Sequence, residues 1–599
     1  MDRTGAGLFS LAMVVMLAGC SGMSSQSSTP AVRVTVTPSS ASVVVNQSFA
    51  FQDAVTGTTN TAVTWQVAGI TGGNSTVGTI SAMGSYTAPA QVPNPAKVTI
   101  TAVSQASSSA SGSASVLISA SNINQQAQNT PIELGTSGGN ANDSSKQGNL
   151  ISCCSGTLGS LVERNGIFYI LSNNHVLARS DSAQIGDAII QPGLTDANCS
   201  STGTTTVGNL TQFVNLQTAG TNVDAAIAQI VTGTVDTSGN ILSLGATATG
   251  GTPNAGPPHA GSGIAANLGE SVAKSGRTSG LTCSTVDALN VATSVTYQTG
   301  CGTGTSFTVT YSGQVSVSGG NFSASGDSGS LIVDQNSADP VALLYAASDT
   351  DAVGNPVADV LAAMSDAQGR QPAFVGSSST HAVAGCSIAT NVVKTSGAVV
   401  PAISETQLAQ AQRARDVHAP ELLANPYVQA IGVGQSIDHP GEPAVVLVVN
   451  SGQIPEVLPD TLEGIATRIV QAGAAGAGPH GVFEMETAQR VAPVVDTFAV
   501  QALSNQEMAR SKAVQAAHVA ELMKQPGVQG VGITSSADAP GEAALMIFVV
   551  RGVSRNPIPV TIDGLRTRVR ESSPFTTGRR GGEAASGCKV PLTAVPAKP

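Results

Sequence analysis

The chain has 599 residues, of which 11% are charged and 3% aromatic, and a formal net charge of -11. That length predicts several domains. An acidic balance without a basic cluster excludes nucleic acid as a partner, and the charge-poor, Ser/Thr/Gly-rich composition suits exported β-rich modules. The chain opens on an apolar run, Leu8 to Leu17. It is too short to span a bilayer as a mature helix and has the length of a signal-peptide core.

The run leads into Leu17-Ala18-Gly19-Cys20, which resembles a bacterial lipoprotein cleavage box. The resemblance implies a signal peptide over 1–20, a lipid on Cys20 and anchorage to the membrane in the cell envelope. Ser21, rather than aspartate, follows the cysteine; by likeness to bacterial sorting patterns this points to the outer membrane or the cell surface. An ordinary secretory signal with an incidental cysteine is the alternative. Of the eight cysteines, seven remain after Cys20, and an oxidising compartment lets them pair. Cys283 with Cys301 is one candidate disulfide, and Cys153 or Cys154 with Cys199 a second. An odd count leaves one thiol unpaired within a monomer.

Residues 31–120 alternate apolar and polar positions in short runs, as in Val32-Arg33-Val34-Thr35-Val36, Ala62 to Val67 and Lys97 to Val103. Gly, Pro and Asn punctuate them, which predicts an antiparallel β-sandwich. Trp65, the sole tryptophan, is expected in its core. Val36-Thr37-Pro38, Val63-Thr64-Trp65 and Gly84 to Pro89 resemble bacterial Ig-like domains, which act as spacers or adhesive modules. Residues 121–148, rich in Asn, Gln, Ser and Gly, read as a linker.

The region 149–378 carries the chemistry. Gly326-Asp327-Ser328-Gly329-Ser330 sets a serine in a glycine-bounded loop. A serine nucleophile needs a base, and the base an orienting carboxylate. Upstream, the apolar run Ile167 to Leu171 delivers His175 at a strand end, and Asp224 opens the apolar run Ala225 to Ala228. A carboxylate there is costly to bury unless hydrogen-bonded, and an imidazole N–H is a fitting partner.

With His175, Asp224 and Ser328 in this order, residues 149–378 resemble a trypsin-like peptidase of the chymotrypsin superfamily. Lys274 to Leu281 resembles the start of the second barrel in streptogrisin-type members, and Val341 to Ala346 fits the strand after the nucleophile. The resemblance implies a two-barrel fold. Ser328 is then the nucleophile, His175 the base and Asp224 its orienter, with the amides of Gly326 and Ser328 as an oxyanion hole. It places Phe322 at the floor of the specificity pocket, which gives no support to cleavage after Lys or Arg. Ser330 stands where many members have a second glycine. Asp327 needs a cationic partner, for which Lys274 or Arg277 is expected, without N-terminal processing.

After a Ser/Ala-rich joint, residues 404–499 and 500–580 repeat at an offset of 100. His418 and His518, Pro426 and Pro526, Gly432 and Gly532, Pro440-Gly441-Glu442 and Pro540-Gly541-Glu542, and Thr467-Arg468 and Thr567-Arg568 all match. Each copy reads as a helix (Gln407 to Ala424 in the first) followed by strands, a small α+β unit. The lone histidines lack the clustered ligands a metal site needs, so neither metal nor cofactor is expected. Arg468 and Arg568 read as solvated strand-end charges in preference to a site for an acidic partner.

The fold class is therefore multidomain and mainly β: an Ig-like sandwich, a two-barrel chymotrypsin-like domain, then two tandem α+β repeats. The leading function is an envelope-anchored serine endopeptidase acting on protein or peptide substrates, with an unknown partner for the repeats. A non-catalytic binding or adhesion lipoprotein reusing the fold is the rival, and ester hydrolysis a third reading.

Overall fold

The computed structural model describes residues 31–45, 48–89, 91–119, 122–147, 150–249, 252–386, 403–450, 458–472, 481–483, 500–577 and 590–591. The signal segment and Cys20 lie outside them. The protein is mainly β, built of several sheets, and divides into Met1–Ser121 and Asn122–Pro599.

In the first unit, Lys97–Ser104 pairs antiparallel with Ser111–Ser119 and with Val63–Val67. Every second residue from Val98 on is buried, because successive side chains of a strand point to opposite faces. Trp65, Val67, Tyr86, Ile100 and Val116 form the core, as the alternation predicts.

The second unit begins earlier than the sequence suggests. Residues 122–147, read as a linker, are packed. Thr136–Asn140 is a fully buried strand in an eight-stranded sheet. The side-chain amide of Asn124 donates to Gly135 O at 2.6 Å and Ser275 Oγ at 2.8 Å. The polar composition that resembles a loop supplies the donors that buried backbone and hydroxyl acceptors require.

The eight-stranded sheet includes β1 (Gly156–Leu158), β2 (Ile167–Ser172) and β3 (Ala226–Ile230), with the one-turn helix α1 (Asn174–Leu177) after β2. A ten-stranded sheet follows. It includes Ser271–Gly276, the long β4 (Gly280–Gly300), Thr303–Ser318, Leu331–Asp334, β5 (Pro340–Ala347) and Asp351–Pro356. Pairing of Ser271–Gly276 with β4 closes these six strands on themselves.

The remaining strands of this sheet come from the tail. The helices α2 (Glu405–Ala424) and α3 (Asn505–Leu522) open the two copies. Ser404 and Ser504 cap them, accepting from the amides of Gln407 and Glu507. Strands Val428–Gln435 and Val528–Ser535, Pro443–Asn450 and Ala543–Val550, and Ile465–Ala472 and Leu565–Ser572 match at the same offset of 100. The second copy does not stand apart. Its Val528–Ser535 strand pairs with β4, Leu289 opposite Ile533 and Ala292 opposite Val531. In the first copy the equivalent strand pairs instead with Gly481–Phe483.

The copies lock reciprocally. Asp538 accepts from the Ser436 hydroxyl and from Ile437 N at 2.7 Å; Asp438 accepts from the Ser536 hydroxyl and from Ala537 N at 2.8 Å. Arg568, expected in solvent, is 3% exposed and donates to Ser535 O at 3.2 Å, with Asp438 at 3.6 Å. Packing of one copy on the other buries it. Arg468 makes the matching bond to Gln435 O.

The disulfides match expectation in part. Cys283 pairs with Cys386, Cys301 with Cys154, and Cys199 with Cys153. Cys283 and Cys301 cannot meet because one strand, β4, separates them, and a strand advances about 3.3 Å per residue. Of the two candidates for Cys199, Cys153 takes it, which frees Cys154 for Cys301. Cys588 lies outside the described residues.

Candidate active site

β2 ends at Ser172, and the turn into α1 carries Asn173, Asn174 and His175, all buried. Asn174 fixes the turn by donating to Asp181 Oδ1 and Val214 O, both at 2.6 Å, and accepting from the Asp181 amide at 3.0 Å. Asn173 donates to the backbone carbonyl of Asp224 at 2.7 Å. The histidine is therefore held by bonds on both sides.

Asp224 stands just before β3 and is fully buried. Its Oδ2 lies 2.6 Å from His175 Nδ1, and its Oδ1 accepts from the His175 amide at 3.3 Å. In the neutral ring with Nδ1–H donating to the carboxylate, it is Nε2 that carries the lone pair. Nε2 is buried and has no hydrogen-bond partner among the described residues.

A group the sequence reading missed completes the carboxylate's shell. Tyr297 donates to Asp224 Oδ2 at 3.0 Å, and its hydroxyl lies 2.6 Å from that of Tyr311. Tyr345 packs on Tyr311, ring centroids 4.8 Å apart. Burial, and then the charge of Asp224, push all three phenols well above the ordinary tyrosine value. They stay neutral, and Tyr297 remains a donor. The chain has six tyrosines; three in one region was the one available signal.

Ser328 reaches this site through its loop. Its carbonyl accepts from Thr157 N of β1 at 2.9 Å. Gly329 has φ +93°, and a Cβ there would collide with Ser172 Oγ and Thr157 O. Gly326 has φ +101°, with Arg277 Nη1 and Thr278 Oγ1 where a Cβ would go. Both glycines are thus required by backbone conformation and by close approach, and they bring the loop against Ser172, three residues before His175. The Ser328 hydroxyl donates to Tyr345 O at 3.4 Å; no hydrogen bond joins it to His175 Nε2 among the described residues. The amides of Gly326 and Ser328 meet no acceptor among the described residues.

Asp327 points the other way, into the ten-stranded sheet. Of its two expected cations, Lys274 is the partner, at 3.2 Å, both side chains fully buried. Arg277 pairs instead with Asp196, at 2.6 Å. Asp327 also accepts from the amides of Thr278 (2.7 Å), Ser279 (3.0 Å) and Ala324 (2.9 Å) and from the Ser279 hydroxyl (2.5 Å). Burial alone would raise its pKa, but the Lys274 ammonium and these donors hold it below the usual carboxylate value. The loop is thereby anchored without a free N-terminal amine.

Phe322, expected at a pocket floor, is a core side chain. It is 2% exposed and packs among Val272, Val286, Val317 and Ile332, with the Lys274 ammonium 5.8 Å from its ring. A cavity of about 440 Å³ lies elsewhere, between residues 216–221 and 307–310. It adjoins Phe307, which stacks on Tyr297. Comparison of the sequence with protein-family models and with curated proteins finds no match.

Proposed function

We infer that the chain is a serine endopeptidase of the chymotrypsin type. The observation that carries this reading is the buried His175–Asp224 pair at 2.6 Å with an unpartnered Nε2, together with a loop that holds Ser328 against β1 and packs Gly329 on Ser172 at the end of β2. A structural histidine in a core is ordinarily satisfied at both ring nitrogens; a base needs one left open.

In this reading, the Ser328 hydroxyl turns from Tyr345 O and gives its proton to His175 Nε2 as Oγ bonds to the scissile carbonyl carbon. Asp224 holds the imidazole tautomer and stabilises the imidazolium. The carbonyl oxygen, now negative, is met by the amides of Gly326 and Ser328, worth roughly 3 to 4 kcal/mol each in related chemistry. His175 returns the proton to the leaving amine as the C–N bond breaks. Water, activated by the same base, then releases the acyl group.

The two large sheets correspond in this reading to the two barrels, and the first unit to an Ig-like spacer. Leu17 to Cys20 and three disulfides support an oxidising, lipid-anchored setting at the cell envelope. One observation favours the rival, a non-catalytic binding protein: the resting bond of Ser328 to Tyr345 O rather than to His175. Hydrolysis of a fluorescein-labelled casein by the wild type, abolished by Ser328→Ala and by His175→Ala, supports the endopeptidase. Equal release by all three folded proteins rules it out.

A further inference from the structure

Strand β5 has two edges. Asp351–Pro356 covers one. Leu331–Asp334 covers part of the other, and the nucleophile loop continues it: Gly329 N donates to Leu344 O at 2.9 Å, and Leu344 N to Ser330 O at 3.0 Å. There the loop turns away, with the Ser328 hydroxyl at Tyr345 O. Beyond Tyr345 this edge is available for a further strand.

Thr576 occupies it. Thr576 N donates to Ala347 O and Ala347 N to Thr576 O, each at 3.1 Å, in an antiparallel bridge. Because the bridge is antiparallel, the C-terminal direction of this segment points along β5 toward Tyr345 and the Ser328 hydroxyl. The segment is fastened before it arrives. Ser573 N donates to Asp349 Oδ1 at 2.6 Å, and Asp349 N to Ser573 Oγ at 3.0 Å. Phe575 N donates to Gln529 Oε1 at 2.9 Å, and the Phe575 ring is buried with its centroid 5.6 Å from that of Phe548. Val590–Pro591 then pair with Leu150–Cys153, the strand that leads into β1, whose Thr157 holds the Ser328 carbonyl. The tail so touches β5 and the strand that precedes β1 in the chain.

We propose that Ser573–Thr577 is a built-in competitor: it holds the β5 edge beside Ser328, so an extended polypeptide gains that edge only when the segment is displaced. An incoming strand is recognised through main-chain hydrogen bonds to an open edge, and those of Ala347 are already made. Tethering gives the segment an effective concentration that a dilute substrate does not match. The inference rests on the serine-peptidase reading and adds that the tail regulates the site.

The test separates the two claims with two probes on the full chain. A small fluorophosphonate reports whether Ser328 reacts, and fluorescein-labelled casein reports whether the edge is open. Thr576→Pro removes the amide donor to Ala347 O, and Asp349→Ala loosens the Ser573 anchor at a half-exposed site. Both variants are expected to label like wild type and to hydrolyse casein roughly tenfold faster, the order expected from losing one or two edge hydrogen bonds. A synthetic peptide of residues 570–577, added in trans, should slow the variants again. Equal casein hydrolysis by wild type and both variants, all labelling normally, overturns the competitor. Absence of labelling in folded wild type and variants alike overturns the peptidase reading instead. Should Thr576→Pro alone fail to label, Asp349→Ala decides.

Discussion

Replacing Lys274 by methionine tests how the nucleophile loop is anchored. Lys274 and Asp327 are both fully buried, 3.2 Å apart. Methionine keeps the length of the side chain and removes the ammonium, leaving Asp327 as a buried charge without its counter-ion. Breaking a buried pair in this way costs roughly 3 to 5 kcal/mol. Asp327 keeps three backbone amides and the Ser279 hydroxyl, so the lower end, about 3 kcal/mol, is expected. The share of the pH dependence carried by Asp327 should change sign. In the wild type the depressed Asp327 contributes stability above its unfolded pKa, lost as pH falls through the folded value. Without the ammonium, burial raises the folded pKa, and acidification then stabilises. Urea unfolding of Lys274→Met and wild type at pH 7.5 reads the cost of the lost ammonium, and a gain on going to pH 5 that is larger in Lys274→Met than in the wild type reads the raised carboxylate. A loss under about 1 kcal/mol, the range of a surface pair, with unchanged pH dependence, would refute the anchoring argument.

Two further outcomes follow from the geometry. Tyr297→Phe removes a hydroxyl bonded to Asp224 Oδ2; hydrogen bonds to charged groups are worth about 1.5 to 3 kcal/mol. A fall in kcat of roughly tenfold or more at little-changed KM is expected, with a shifted acid limb in the kcat–pH profile that a purely structural loss would not move. Where the copies meet, burial and then the charge of Asp438 push Asp538 up to about 6. A raised carboxylate binds its proton more readily in the folded state, so stability should rise as pH falls through about 6 toward the unfolded value. The gain is at most about 3 kcal/mol. Thermal unfolding at pH 7.5 and pH 5 should show it, and Asp538→Asn should remove this share. Asp351, pushed to about 7 by burial despite Arg570, would retain its own share of the same sign. A wild-type transition that falls on acidification over this range contradicts the assignment.

Much of the site was legible because its chemistry is local. His175 at a strand end, Asp224 before an apolar strand and the Gly-bounded Ser328 each announce themselves within a few residues, and the structure brings His175 and Asp224 into direct contact. The tail repeat was legible for a similar reason: a fixed offset survives in the sequence whatever the copies touch. What escaped depends on long-range pairing. The edge between β4 and Val528–Ser535 is made of backbone hydrogen bonds, which side-chain patterns do not encode. Tyr297 reaches Asp224 across 73 positions and looks like any core tyrosine. The Asn- and Gln-rich stretch after residue 121 misled because donors that satisfy buried carbonyls have the same composition as a loop. The cysteines misled because sequence spacing ignores the rigid length of β4, which keeps Cys283 from Cys301.

The central claim is that Ser328 is a nucleophile activated by His175. Intact-mass analysis of the full-length protein after treatment with a fluorophosphonate, followed by peptide mapping, tests it most directly. One adduct per chain, located on Ser328 and lost in His175→Ala, is the predicted result. An adduct elsewhere, or none on a folded wild type, would contradict it.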